Sequence, residues 1–259
     1  MNFQNFNKDA GKGVSSKYQV IQSGDLVAQL AAAGYKVTSF QEQSYRNKEL
    51  RGYGKHAFRL RHESMLTKEE GHPEIVLRNS YNGTSCFQIS LGFFRLVCAN
   101  GLVVGKTFAS RSVRHVGQTA LDQVIDSMGL VLGQAEKMQD EISNLKAFQT
   151  TETQRNDFAK IIAGIIAPQN AALIHAKDLL TPQRAVDRAT DLWTVLNVIQ
   201  ENSIRGGLRY TTSTQSERGV NVRNNTARAV RSIDRNFEIN QTVWDVASNL
   251  AKTGILQAA

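Results

Sequence analysis

Hydrophobic positions recur with two different periods along this chain, and the change of period divides it. In the front part apolar and polar residues alternate, as they do on strands with one buried face. The longest such run covers residues 85–106, SCFQISLGFFRLVCANGLVVGK. Phe87, Ile89, Leu91 and Phe93 take one face of a strand, and Ser90, Gly92 and Phe94 take the other. Asn100-Gly101 then supplies a turn, because this dipeptide tolerates the positive φ angles of tight hairpins, and Leu102-Val103-Val104 resumes the strand. Shorter runs predict strands over 35–45, over 56–61 with Phe58 and Leu60 together, over 74–79 with Ile75 and Leu77 together, and over 107–115. Residues 18–21 add a short strand. Ser23 is placed to cap a helix over 25–33 that Gly34 ends.

From Thr119 the apolar spacing becomes three and four, as on a helix with one buried stripe. Leu121, Val124, Ile125, Met128, Val131 and Leu132 predict a helix running to about residue 148. Phe158, Ile161, Ile162, Ile165 and Ile166 predict a second that stops before Pro168. Helices follow over 171–180 and 185–204, the latter broken by Arg205-Gly206-Gly207. Residues 209–225 are polar and nearly free of aliphatics, so they read as a mobile loop. Helices over 226–234 and 238–251 close the chain, with Trp193 and Trp244 in the helical core. The prediction is an α+β protein: an antiparallel sheet with one early helix, then a mostly helical C-terminal half. Its parts are a flexible arm over 1–16, a basic β-rich region over 17–117, and a helical region over 118–259.

Composition sharpens this picture. At 259 residues the chain can bury a core as one large or two small domains. No window reaches the ~18 apolar residues of a spanning helix, and MNFQNFNKDAGKG lacks the apolar centre of a signal peptide. The expectation is a cytoplasmic protein with no membrane contact. Cys86 and Cys98 then stay reduced and serve as small hydrophobes in the strands. Charge is segregated: residues 1–117 hold 16 Lys and Arg against 8 Asp and Glu, 118–203 hold 7 against 11, and 204–259 hold 8 against 4. A basic front and a basic end point to a polyanionic partner, most often nucleic acid.

Local signatures of chemistry are missing. Gly101-x3-Gly105-Lys106-Thr107 is one residue too short for a phosphate-wrapping P-loop, and strand rather than helix follows it. His56, His62, His72, His115 and His175 lack metal-ligand spacing with one another or with Cys. No nucleophile elbow is present. The sequence therefore names no catalytic residue, no metal ligand and no cofactor, although a site assembled in space leaves no local trace.

The basic stretches carry more. In 45–61, YRNKELRGYGKHAFRLR, cations alternate with aromatics. Cations neutralise phosphates and aromatic faces stack on bases, so Arg46, Arg51, Lys55, Arg59 and Arg61 with Tyr45 and Tyr53 form a candidate track for single-stranded nucleic acid. Arg59 and Arg61 share the strand face opposite Phe58 and Leu60. Arg111 and Arg114 extend the set on the last strand. Arg228, Arg231 and Arg235 fall at helical spacing, where they could meet phosphate or the acidic central helices.

Several strings carry a resemblance: RNSYNGTS at 78–85, GFFRLVCANGL at 92–102, Arg114-His115, Leu192-Trp193, Val195-Leu196-Asn197, Gln200-Glu201-Asn202 and Arg205-Gly206-Gly207. Over about residues 74–250 the chain resembles the phage- and plasmid-borne family catalogued only as a domain of unknown function, the "phage/plasmid-like" proteins. The resemblance implies a mobile-element origin and a bacterial host cell, and supplies no activity or catalytic residue. In outline, a basic sheet followed by helices is also similar to phage single-strand annealing proteins, which assemble into rings or filaments and use no ATP. The resulting expectation is a non-enzymatic single-stranded DNA-binding homo-oligomer of recombination or replication, with strand annealing as its activity. The alternative is a module that binds a host protein and counters a defence system.

Overall fold

The structure, a computed structural model, describes residues 3–63, 71–95, 102–104, 110–116, 129–130, 133–166, 172–216 and 219–256. The chain divides into two compact units, Met1–Glu136 and Lys137–Ala259. The Asn100-Gly101 turn, Cys98, Lys106 and the start of the helix expected from Thr119 lie outside the described residues.

In the first unit β1 (Tyr35–Glu42), β2 (His56–His62), β3 (Gly71–Asn79), β4 (Phe87–Arg95), β5 (Leu102–Val104) and β6 (Ser110–Val113) form a 6-stranded antiparallel sheet. The order is β1-β2-β3-β4, with β5 and β6 both on β4. The period-2 pattern sets the register: Phe58 pairs with Leu77, Leu77 with Ile89, Leu60 with Ile75 and Ile75 with Leu91, and all of these are buried. Each such side chain contributes about 1.5–3 kcal/mol when fully buried.

α1 (Ser23–Ala32) lies on this face through Leu26, Val27 and Leu30. Ser23 is not its cap. Gln22 holds that position without a side-chain bond, because the Ser23 hydroxyl meets His56 Nε2 at 2.8 Å and accepts from Asn79 Nδ2 at 2.9 Å. Gly34 ends the helix with φ +92. The expected flexible arm is docked. The Phe6 ring sits 4.7 Å from Phe40 and 5.0 Å from Phe58, and the Phe6 carbonyl accepts from Tyr81 Oη at 2.7 Å. Gly11 N–H donates to the Tyr81 carbonyl at 2.6 Å. Residues 18–21 form no strand; Gln19 instead exchanges bonds with His115, N–H to carbonyl at 2.7 Å and carbonyl to Nδ1 at 3.0 Å.

The second unit holds α2 (Ala135–Ala147), α3 (Glu152–Ile166), α4 (Ala176–Leu179), α5 (Leu192–Arg205) and α6 (Ile233–Thr253). Trp193 and Trp244 are buried in its core, as expected. Several readings change. The helix expected over 171–180 is instead a strand at Ala172–Ile174 followed by the short α4. The "mobile loop" at 209–225 is a hairpin of β8 (Arg209–Ser216) and β9 (Gly219–Thr226), joined to β7 (Ala172–Ile174) in an antiparallel sheet. Its Thr and Val are β-branched and suit extended backbone, and β9 opens on Gly219 at φ +117. The fourth helix starts at Leu192, not near 185, because the Asp191 side chain accepts from Thr194 N–H at 2.9 Å and caps it there. Residues 227–232 are not helical and Ser232 caps α6, so Arg228 and Arg231 do not share a helix face with Arg235. Among the described residues no helix is long and apolar enough to cross a membrane.

Candidate nucleic-acid interface

The β1–β2 connection turns on three devices. Gln43 N–H donates to the Lys55 carbonyl at 2.7 Å, continuing the ladder. Asn47 caps a short 3-10 turn over Lys48–Leu50 by accepting from Glu49 N–H at 3.0 Å. The Tyr45 ring packs where a Cβ on Gly54 would stand, so only Gly fits there. Arg46, Lys48 and Arg51 are exposed on this connection, and Tyr45 and Tyr53 are half-buried in it. Arg51 Nε donates to the Tyr45 carbonyl at 3.1 Å.

Sheet register brings further cations to this end. Ala57, Arg78, Gln88 and Ser112 form one row across β2, β3, β4 and β6. Lys55 and Arg114 each lie two residues beyond that row on the same side, about 14 Å apart at the usual strand spacing. The docked arm adds more. Lys8 packs over Gly52, its Cε 3.1 Å from where a Cβ would be, and Lys12 Nζ is 3.6 Å from Glu49. The exposed Lys17 is tethered next to Tyr18, whose phenol donates to the Ser80 carbonyl at 2.7 Å and stacks 4.6 Å from His115. Burial pushes the Tyr18 phenol up to about 12, so it stays protonated. The sheet end thus gathers Lys8, Lys12, Lys17, Arg46, Lys48, Arg51, Lys55 and Arg114 against Asp9, Glu42 and Glu49. The arm's lysines were missed from sequence because nothing local predicts where an arm docks.

Arg59 and Arg61 do share a face, as expected, but they are not open cations. Both grip Glu74, whose side chain is 0% exposed: Arg59 Nε at 2.8 Å, Arg61 Nε at 2.9 Å and Arg61 Nη2 at 2.5 Å. Thr38 Oγ1 donates to the same carboxylate at 2.9 Å. The Arg59 guanidinium lies 3.5 Å over the Phe94 ring, and Val76 and Ser90 on this face are buried. Arg111 falls on the opposite face, because it pairs with Ile89 whereas Arg59 is in register with Val76 and Ser90. Arg46, Arg51, Lys55, Tyr45, Tyr53 and Arg114 therefore belong to one sheet end, and Arg59, Arg61 and Arg111 do not. Among the described residues no group of His, Cys, Asp and Glu is arranged to hold a metal.

A comparison with known families decides the kinship. Residues 12–244 match the model described as a domain of unknown function, DUF932. The chain belongs to the DUF932 family. It is 32% identical over 245 residues to the UPF0380 protein YfjQ of Escherichia coli (strain K12), covering 95% of this chain and 86% of the relative. It is 31% identical, with the same coverage, to the UPF0380 protein YafZ of that organism. No solved structure matches.

The strings by which this DUF932 chain is recognised act on the fold. Asn79 Nδ2 donates to the Ile21 carbonyl at 2.8 Å, and Tyr81 ties α1 to the arm by accepting from Ser23 N–H at 2.9 Å. Glu201 receives Arg184 on both oxygens at 2.6 Å, and Asn202 Nδ2 donates to the carbonyls of Leu179 and Thr181 at 2.9 Å. Gly206 leaves α5 at φ +82, with Ala229 N only 2.5 Å from where a Cβ would stand.

Proposed function

We propose that this protein binds single-stranded DNA at the basic end of its first sheet, as a non-enzymatic oligomer acting in phage or plasmid recombination or replication. One observation carries the reading: three separate chain segments, 8–17, 46–55 and Arg114, bring cations to the sheet end that also holds the half-buried Tyr45 and Tyr53. Cations tracking phosphates beside aromatic rings are the recurring elements of single-strand grooves. Arg51 is splinted to the Tyr45 carbonyl, so cation and ring come as one preorganised pair.

The test is fluorescence anisotropy of a labelled single strand across a salt series. Contacts from Lys8, Arg46, Lys48, Arg51 and Lys55 imply a log–log salt slope of about −3.5. The variant Arg46→Glu/Lys48→Glu/Arg51→Glu lowers affinity and reduces the slope by about 2. Unchanged binding in that folded variant removes the site, and no binding by the wild type at low salt removes the function. Annealing of complementary strands, with mass by light scattering, tests the recombination role.

A further inference from the structure

The β8–β9 hairpin of the second unit has no part in the single-strand reading, yet its chemistry is distinctive. β7 pairs only with Tyr210, Thr211 and Thr212. Beyond them the ribbon continues, with no third strand beside it among the described residues, through Ser213–Val222, Thr214–Asn221, Gln215–Val220 and Ser216–Gly219. Four residues per strand project about 13 Å at the usual rise. Residues 213–215 and 219–224 are all exposed. The side chains of Ser213, Thr214, Gln215, Asn221 and Arg223 make no hydrogen bond among the described residues, so the fold does not use them. Val220 and Val222, at 64% and 61% exposure, lie on the face of Ser213 and Gln215. Residues 205–231 carry six Arg against a single Glu.

At the ribbon's base lies a cleft of about 310 Å³ lined by His175, Lys177, Arg209, Thr211, Asn224 and Thr226. Among the described residues no carboxylate lines it. Asp178 fixes Arg209 from the side, at 3.0 and 3.2 Å.

We infer that this ribbon is a duplex-DNA reader that enters the major groove, with the basal cleft taking a flanking phosphate. The dimensions agree: a major groove is about 12 Å wide and about 8.5 Å deep, and admits a two-stranded ribbon. The chemistry agrees as well. Asn221 and Arg223 share one face of the ribbon, where Arg pairs with guanine edges and Asn with adenine. Lys177 and Arg209 supply the cations that set register on the backbone. The assignment goes beyond the single-strand site and stands without it.

The test compares a short labelled duplex with its single strand, by anisotropy, on the full chain. Arg223→Glu is expected to weaken duplex binding by about tenfold or more, with single-strand affinity unchanged. Lys177→Gln should weaken all duplex sequences alike and lower the salt slope by about 1. Tryptophan fluorescence in urea verifies that each variant folds, since Trp193 and Trp244 both lie in this unit. Unchanged duplex affinity in Arg223→Glu overturns the inference, as does a wild type that ignores duplex at low salt. A variant that alters the mass in solution while duplex affinity stays constant assigns the ribbon to self-association and also overturns it. A wild type that binds the duplex but not the single strand would sink the sheet-end site and leave the ribbon standing.

Discussion

Replacing Arg61 by Ala strands a carboxylate. Glu74 has a fully buried side chain, and Arg61 supplies two of its four donors, both to Oε1. Removing one partner of a buried ion pair costs about 3–5 kcal/mol. The Arg61 side chain is 23% exposed, so water reaches the gap and the lower figure applies, about 3 kcal/mol. With a urea dependence of about 2 kcal/mol per molar, the unfolding midpoint of the first unit falls by about 1.5 M. Both tryptophans lie in the second unit, so circular dichroism should report this shift while tryptophan fluorescence does not. Glu74→Gln in the same background should recover part of the loss, because a neutral amide needs no counter-charge. A midpoint shift under about 0.5 M, or a Glu74→Gln change that deepens the loss, would refute the buried-clamp reasoning. Charge reversal at Arg59 and Arg61 would crowd three carboxylates together, so it measures folding before it measures DNA binding.

Three further outcomes follow from the same kind of accounting. Burial lowers His56, His72 and His115 below the ordinary histidine value, with Arg61 adding to the effect at His72. The unfolded chain then binds protons that the native unit refuses, so stability is full above about pH 6.5 and falls as pH drops below it; a first-unit melting temperature that stays flat from pH 7 to pH 5.5 would contradict this. Gly206→Ala forces a side chain into left-handed backbone and against Ala229, and should lower the second unit's stability by about 1–3 kcal/mol in a tryptophan-monitored urea titration. Arg184→Ala leaves the buried Glu201 and Asp187 without their guanidinium, and should cost about 3 kcal/mol by the same measurement, with Glu201→Gln restoring part of it.

The sheet was legible because its signal is local. Alternation fixes which of Phe87, Ile89, Leu91 and Phe93 face inward, and the partners on β2 and β3 repeat the pattern. The hairpin at 209–226 was not legible, since neither of its projecting faces is buried and periodicity reports only burial. Helix starts failed for a related reason. Asp191 and Ser232 outcompete earlier candidates through one capping bond each, and 3- and 4-residue spacing does not show that choice. Of the candidate site, Tyr45, Arg46, Arg51, Tyr53 and Lys55 were legible as a contiguous run. The pairing of Arg59 and Arg61 with Glu74 is a cross-strand contact, and alternation alone made them look like free surface cations.

Recognition and function separate in this chain. Its recognisable strings join α1 to the sheet, hold the 179–184 connection on α5, and let the backbone pass beside Ala229. Those are duties of any member that keeps the fold, whatever it binds. The exposed cations and amides lie elsewhere, on the β1–β2 connection, the docked arm and the β8–β9 ribbon. A relative that shares the strings but carries acidic residues at 46–51 and 223 would share the architecture without the proposed DNA contacts. Binding assays on such a relative would therefore separate the fold from the function more cleanly than any substitution within the recognised strings.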